Sequence, residues 1–160
     1  MISLKKKNQG FTIVELLIVI VVIGILAALV ITAYAGIQAK ARNGKRSTDI
    51  QAIQTQLEGF YSQNGYYPSL TDLNSSTWRA TNMKSLENGA LVDPSTNCDP
   101  ATVTTCVKAT PVAKSYSYAV SDSAGATCEA TDTNCAQYTL TGTYEGTVNN
   151  QTTYVKKNLD

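Results

Sequence analysis

Residues 10–35 read GFTIVELLIVIVVIGILAALVITAYA. Thirteen of the twenty side chains from 16 to 35 are Leu, Ile or Val, and each favours insertion into lipid by roughly 0.3–0.6 kcal/mol. The uncharged residues 16–39 would rise about 36 Å as a helix, enough to cross a hydrocarbon core of about 30 Å. The stretch therefore predicts a helix that is apolar on all sides and must be surrounded by lipid or by other chains.

Glu15 is the only charged residue between Lys7 and Lys40. A carboxylate costs roughly 2.5–3.5 kcal/mol at the centre of a membrane helix and less near its end, so the apolar run tolerates Glu15 without needing it. Thr12-x-x-Glu15 before an apolar run is also the pattern of a capping box at a helix N-terminus. Glu15 is therefore both a predicted helix cap and a candidate functional residue.

The N-terminal residues resemble the class III signal of type IV pilins and pseudopilins. The resemblance covers roughly residues 5–40 and departs from many pilins at Thr32, where those proteins have a proline. Its matching parts are the basic leader with Lys5, Lys6 and Lys7, then Gly10, Phe11, Thr12 and Glu15, and then the uncharged run with Gly24.

This resemblance implies processing and assembly roles for three residues. In the family, a prepilin peptidase cleaves after the glycine, here Gly10, and methylates the new N-terminus, here Phe11. The family's acid, here Glu15, then meets the Phe11 amine of a neighbouring subunit. Such a pair would set an axial register because opposite charges removed from water cannot be left single.

Four segments follow from the pattern of the chain: a leader (1–10), an apolar helix half (11–39), an amphipathic helix half (40–61) and a head (62–160). Ile50, Ile53 and Leu57, followed by Phe60 or Tyr61, form one helical stripe. We therefore predict a single helix from about residue 11 to residue 61, with a weak point at the turn-prone pair Asn43-Gly44. The sequence Asn-Gly-Tyr-Tyr-Pro at 64–68 predicts its end.

Three runs of the head alternate as strands do: 115–120, 137–145 and 152–156. Asn149-Asn150 predicts a hairpin turn between the last two runs. A small antiparallel sheet has one face to cover, and the amphipathic helix half would cover it. The predicted fold class is therefore α+β and pilin-like, with a long N-terminal helix packed on a small antiparallel sheet.

Four cysteines lie in the head: Cys98, Cys106, Cys128 and Cys135. An even number in an exported domain predicts disulfides, and three pairings are open. Pairing within each local couple closes the shortest loops, and each bridge would contribute about 2.5 kcal/mol. A zinc site is the disfavoured alternative because the spacings are long and the chain has no histidine.

The composition excludes several functions. The 160 residues carry a net charge of +1, and without residues 1–10 ten basic residues face twelve acidic ones, which argues against a general nucleic-acid binder. The absence of histidine removes the commonest general base and metal ligand. No phosphate-binding loop or catalytic constellation is visible, so we expect neither an enzyme nor a cofactor.

Two polar clusters have modest interpretations. The basic residues Lys40, Arg42, Lys45 and Arg46 are interpreted as a solvated helix face that touches anionic lipid, in preference to a DNA contact. The loop residues around Asp93, Asn97, Asp99, Asp122 and Asp132 match no calcium-loop spacing that we can defend. No metal site is predicted from them.

The resemblance implies a structural subunit, a major pilin, of a type IV pilus that serves adhesion, twitching motility or DNA uptake. It would be a single-pass precursor in the cytoplasmic membrane and then part of an extracellular filament. Its partners would be further copies in a helical homopolymer, the prepilin peptidase, an inner-membrane platform with an ATPase motor, and minor pilins. Two alternatives stay open: a pseudopilin of a secretion or competence system, and a soluble binding domain secreted through an ordinary signal cut at Ala33-Tyr34-Ala35.

Overall fold

The computed structural model of the protein describes residues 10–102 and 105–159. A long helix comes first, two short helices and a 3₁₀ turn follow, and three strands complete the chain. Between Gln38 and Ala39 the chain divides into two compact units, and the first helix contributes to both. The elements are α1 (Ile13–Asn64), α2 (Leu70–Asn74), α3 (Ser76–Asn82), the 3₁₀ turn (Asn88–Leu91), β1 (Tyr116–Asp122), β2 (Cys135–Val148) and β3 (Gln151–Lys157).

Helix α1 is continuous over 52 residues. Gly65 follows its last residue; this glycine has φ 78°, and its N–H donates to the carbonyl of Tyr61 at 2.7 Å. This left-handed glycine is the expected closure of a helix C-terminus. The predicted weak point at Asn43-Gly44 is wrong, because the Asn43 side chain bonds to the backbone of Glu145 instead of competing for its own helix backbone.

The three strands form one antiparallel sheet in the order β1-β2-β3. Tyr118 lies opposite Leu140, and Thr141 lies opposite Val155. Asn149 (φ 51°) and Asn150 (φ 63°) make the turn between β2 and β3. The predicted hairpin is confirmed, since two consecutive residues with positive φ give the turn whose twist matches paired strands.

The core of the second unit lies between α1 and the sheet. Ile50, Ile53 and Leu57 on the helix are fully buried, as are tyrosine and leucine side chains of β1 and β2. A Cβ placed on Gly142 of β2 would lie 3.3 Å from the Cγ1 atom of Ile50, so helix and sheet approach closely there. The α+β, pilin-like fold class predicted from the sequence is confirmed.

Helices α2 and α3, which no pattern in the sequence assigned, bring Leu73 into this core and Trp78 against it. Ser69 and Asp72 form a capping box on α2, and the Ser75 hydroxyl accepts from the N–H of Trp78 at the start of α3. The Trp78 ring then packs on Phe60 of α1, with 5.1 Å between centroids. Serine caps thus determine where these two short helices begin.

Candidate functional site

The first half of α1 presents an apolar surface. Residues 10–31 and 33–38 are all exposed in the structure. Near the two ends of this stretch, Phe11 is 86% exposed and Ile37 is 62% exposed. In the part of the chain that the structure describes, α1 is the one helix long and apolar enough to cross a membrane. Soluble proteins rarely expose a contiguous apolar surface of this extent, so it marks an interaction site.

Glu15 forms the predicted capping box at the start of α1. Its Oε2 accepts from the backbone N–H of Thr12 at 2.8 Å and from the Thr12 hydroxyl at 2.7 Å, and its own N–H donates to that hydroxyl at 3.3 Å. Both Thr12 and Glu15 are exposed. The carboxylate is therefore held at the helix N-terminus while remaining accessible to another charged group.

Gly10 and Phe11 lie immediately before α1. Neither residue is in a helix or strand, and both are exposed. A Cβ on Gly10 would meet nothing within 4 Å. The peptide bond between them is therefore accessible, as a bond that a peptidase cleaves must be.

A second polar arrangement, which the sequence did not predict, lies in the head. We call Arg42, Arg46, Asp93 and Glu145 the ion cluster. Arg46 is 1% exposed, and its guanidinium binds both carboxylate oxygens of the fully buried Asp93 at 2.6 and 2.9 Å. Its Nη2 also donates to Glu145 at 2.9 Å. The bidentate pairing of Arg46 with Asp93 is the geometry in which arginine binds a carboxylate most strongly.

Arg42 and Ser95 complete the environment of Glu145. The Arg42 Nε donates to Glu145 Oε1 at 2.7 Å, and the Ser95 hydroxyl donates to the same oxygen at 2.8 Å. Hydrogen bonding from Arg42, then from Ser95 and Arg46, holds the pKa of the Glu145 carboxyl well below its usual value of 4.5. The pKa of Arg46 is raised, chiefly by its hydrogen bonds to Asp93. These shifts keep Glu145 and Arg46 charged at neutral pH.

The interpretation of the basic residues as one solvated face is wrong for Arg46 and Arg42. Lys40 and Lys45 are exposed, whereas Arg46 is buried and Arg42 is half-buried against Glu145. The acids they bind lie 47 to 103 residues further along the chain. No local pattern connects partners so far apart, so no feature along the chain predicted these ion pairs.

The structure joins Cys98 to Cys106 and Cys128 to Cys135. This is the pairing with the shortest loops among the three that the sequence left open. The second bridge closes the loop that leads from the edge of β1 into β2, where the Cys128 N–H donates to the Val120 carbonyl at 3.2 Å. This second bridge therefore fixes its loop at the sheet.

The aspartates of the loops already bind groups of the same chain. Asp93 binds Arg46, while Asp99, Asp122 and Asp132 accept hydrogen bonds from backbone N–H groups in their own turns. Among the described residues, no group of three His, Cys, Asp or Glu side chains is placed to hold a metal ion.

Comparison with known proteins adds to this geometry. Residues 5–31 match the model of the prokaryotic N-terminal methylation motif. The chain therefore carries a class III signal, the N-terminal signal of type IV pilins and pseudopilins, and this signal leads into a helix long and apolar enough to cross a membrane.

The chain is similar to two kinds of protein. Over 61 residues it is 38% identical to the type IV major pilin protein PilA of Myxococcus xanthus, and the aligned region covers 38% of this chain and 28% of that protein. Over 63 residues it is 40% identical to the type II secretion system core protein G of Escherichia coli, covering 39% of this chain and 43% of that protein. The core protein G of Dickeya chrysanthemi is 36% identical over 66 residues, covering 41% of this chain and 43% of that protein.

The matched region thus spans less than half the length of each of these relatives. The chain is homologous to type IV pilins and pseudopilins through that region, and none of these relatives bears the name of an enzyme. No solved structure matches the chain significantly.

Proposed function

We propose that the chain is the precursor of a structural subunit, the major pilin, of a type IV pilus. It is inserted in the cytoplasmic membrane, cleaved after Gly10, methylated on Phe11, and assembled through residues 11–39 into an extracellular filament. The observation that carries this proposal is the fully exposed apolar half of α1, headed by Glu15, within a matched methylation motif. The filament would serve adhesion, twitching motility or DNA uptake.

The apolar surface of residues 11–39 must be covered both before and after assembly. Lipid covers it in the precursor, and other copies of the same helix replace the lipid in the filament. Cleavage after Gly10 would create a positive amine on Phe11, and Glu15 is the one acid in the apolar segment. An incoming subunit that paired its amine with a neighbour's Glu15 would be held in register, because neither charge can remain single once lipid or protein surrounds it.

The proposed subunit needs other proteins. A prepilin peptidase would cleave and methylate it, an inner-membrane platform with an ATPase motor would drive its assembly, and minor pilins would join the filament. Residues 40–61 and 62–160 would form the outward-facing part. DNA contact through the basic residues at 40–46 is disfavoured, since Arg42 and Arg46 are already bound to Glu145 and Asp93.

A second candidate is a pseudopilin of a type II secretion or competence system. The similarity to core protein G in several bacteria supports it as well as the similarity to PilA supports a pilin. A pseudopilin would build a short fibre rather than a long surface filament. Electron microscopy of cells that produce the chain, with antibody against the head, distinguishes the two by fibre length.

The mature N-terminus tests the proposal most directly. We expect mass spectrometry of the protein purified from its native membranes or filaments to find N-methylated Phe11 as the first residue. A mature chain that begins at Gly36 would instead support secretion through an ordinary signal peptide, and a chain that retains Met1 would exclude cleavage after Gly10.

Substitution of Glu15 tests assembly separately from insertion. Glu15→Val should leave the precursor in the membrane fraction, because the apolar run does not need the acid, yet it should reduce filament number at least tenfold. Glu129→Val, which replaces an exposed acid of the head, is the matched control and should assemble normally. Normal piliation by the Glu15 variant would contradict the assembly role.

A further inference from the structure

The chain contains two Asn-x-Ser/Thr sequences, Asn74-Ser75-Ser76 and Asn150-Gln151-Thr152. This pattern is the acceptor sequence for N-linked glycosylation in exported proteins, where the modified asparagine lies on the surface. The pattern alone is common. The structure, however, places the two asparagines in opposite environments.

Asn74 is 6% exposed and fully engaged. Its Nδ2 donates to the carbonyl of Val107 at 2.9 Å, and its Oδ1 accepts from the N–H of the same residue at 3.0 Å. The side chain thus ties the end of α2 to the segment that borders β1. A sugar on Nδ2 would have to displace the residues packed around this buried side chain, so Asn74 is a structural residue.

Asn150 is the second residue of the two-residue turn between β2 and β3, which are paired at Val148 and Gln151. It is exposed, and no hydrogen bond to its side chain is formed by any residue that the structure describes. Thr152, which completes the acceptor sequence, is exposed as well. Both groups that an acceptor site needs are therefore accessible at the tip of the hairpin.

Turn chemistry explains only part of this sequence. A turn with two positive φ angles favours asparagine at its first position, as at Asn149, but favours glycine at its second. Asn150 stands where glycine would be the better turn former, and the turn places no requirement on Thr152. An acceptor site accounts for both residues.

We propose that Asn150 is a glycosylation site, with a lipid-linked sugar diphosphate as the donor. Asn150 Nδ2 bonds to the anomeric carbon of the sugar while the bond from that carbon to the diphosphate oxygen breaks. The lipid diphosphate leaves with the electron pair, and a base takes one amide proton. The reaction requires only that the head is exported, which its two disulfides also indicate, and it does not depend on filament assembly.

Mass spectrometry of the mature chain from its native cells tests this proposal. Trypsin releases residues 47–79 with Asn74 and residues 115–156 with Asn150. We expect sugar on the second peptide alone, localised to Asn150 by fragmentation and removed by chemical deglycosylation. Unmodified 115–156 peptide, or sugar on a threonine hydroxyl of that peptide, would overturn the proposal. The N-terminal peptide in the same digest tests the proposed function independently.

Four variants separate glycosylation from a role of the turn in folding. Asn150→Gln and Thr152→Ala should both abolish the added mass, whereas Thr152→Ser should retain it because serine also completes the acceptor sequence. Ser76→Ala removes the other acceptor sequence and should leave the added mass unchanged. Retention of sugar in Thr152→Ala, or its loss in Ser76→Ala, would contradict the assignment to Asn150.

Discussion

Arg46 departs furthest from what its residue type suggests. A lysine or arginine in a polar helix segment is usually solvated, yet Arg46 is 1% exposed and its partner Asp93 is fully buried. Burial of two charges is favourable only when geometry and hydrogen bonding compensate for lost hydration. The planar guanidinium meets this condition through bonds to Asp93, Ser95, Glu145 and Asn43. A lysine could not reproduce that fork of donors.

Removal of Asp93 should therefore be strongly destabilising. We expect Asp93→Ala to lower the free energy of unfolding by about 3 kcal/mol, near the lower end of the range for a broken buried pair, because Glu145 still binds Arg46. Lys45→Ala is the matched control: Lys45 is half exposed, and such pairs contribute less than about 1 kcal/mol. Urea unfolding of the full chain in detergent, followed by near-ultraviolet circular dichroism, measures both. Equal losses in the two variants would contradict the role assigned to the buried pair.

At the scale of elements, helix α1 combines two kinds of surface without a break in its backbone. Exposed apolar side chains surround its first half, while its second half buries a stripe that includes Ile50, Ile53 and Leu57. This buried stripe packs on β1 and β2, and Gly142 permits the closest approach because it has no side chain there. The position of the sheet on the helix therefore depends on a small residue in β2.

Gly142→Val should disturb this packing. Its Cβ would lie 3.3 Å from Ile50 and 3.6 Å from the Tyr116 ring, and overpacking of this kind costs about 1–3 kcal/mol. Ala119→Val adds similar volume at an exposed position of β1 and should change stability by less than about 0.5 kcal/mol. Thermal unfolding of both variants in the same detergent measures the difference. A Gly142 variant as stable as wild type would show that helix and sheet can separate there without loss.

At the scale of the whole molecule, titratable groups with shifted pKa values limit the pH range of stability. The pKa of Glu145 is lowered, above all by Arg42, so its contribution is present above its usual pKa and is lost as the pH falls through the folded-state pKa. Burial raises the pKa of Tyr116, Tyr118 and Tyr138 above 10.0. Unfolded tyrosines release protons above that pH while these three retain theirs, so stability is lost as the pH rises.

The free energy of unfolding should therefore be nearly constant from about pH 5 to pH 9 and fall on both sides. Glu145→Gln should be less stable at neutral pH but should lose less stability between about pH 4.5 and pH 3 than wild type. Ultraviolet titration should find a group of tyrosines that ionise only when the protein unfolds in alkali. Ionisation of all nine tyrosines together near pH 10 in the folded protein would contradict this prediction.

Much of this architecture was readable along the chain. The apolar run, the stripe at 50–57, the glycine after α1 and the two asparagines between β2 and β3 are local signals, and each predicted the element that the structure contains. Helix boundaries differed by two or three residues, because caps such as Thr12 and Gly65 decide them. The two short helices at 70–82 could not be assigned from the sequence, since their serine caps precede segments too short to show a periodic pattern.

The sequence by itself determined the apolar helix, its capped N-terminus with Glu15, the small antiparallel sheet and the class III signal, because hydrophobic periodicity, caps and turns act between residues close in the chain. Only the tertiary structure decided that Arg46 is buried on Asp93, that Asn43 binds Glu145 while α1 stays unbroken, and that Asn150 is accessible while Asn74 is not. The contacts of Arg46, Asn43 and Asn74 join partners 33 to 102 residues apart, and such partners meet only when the head folds.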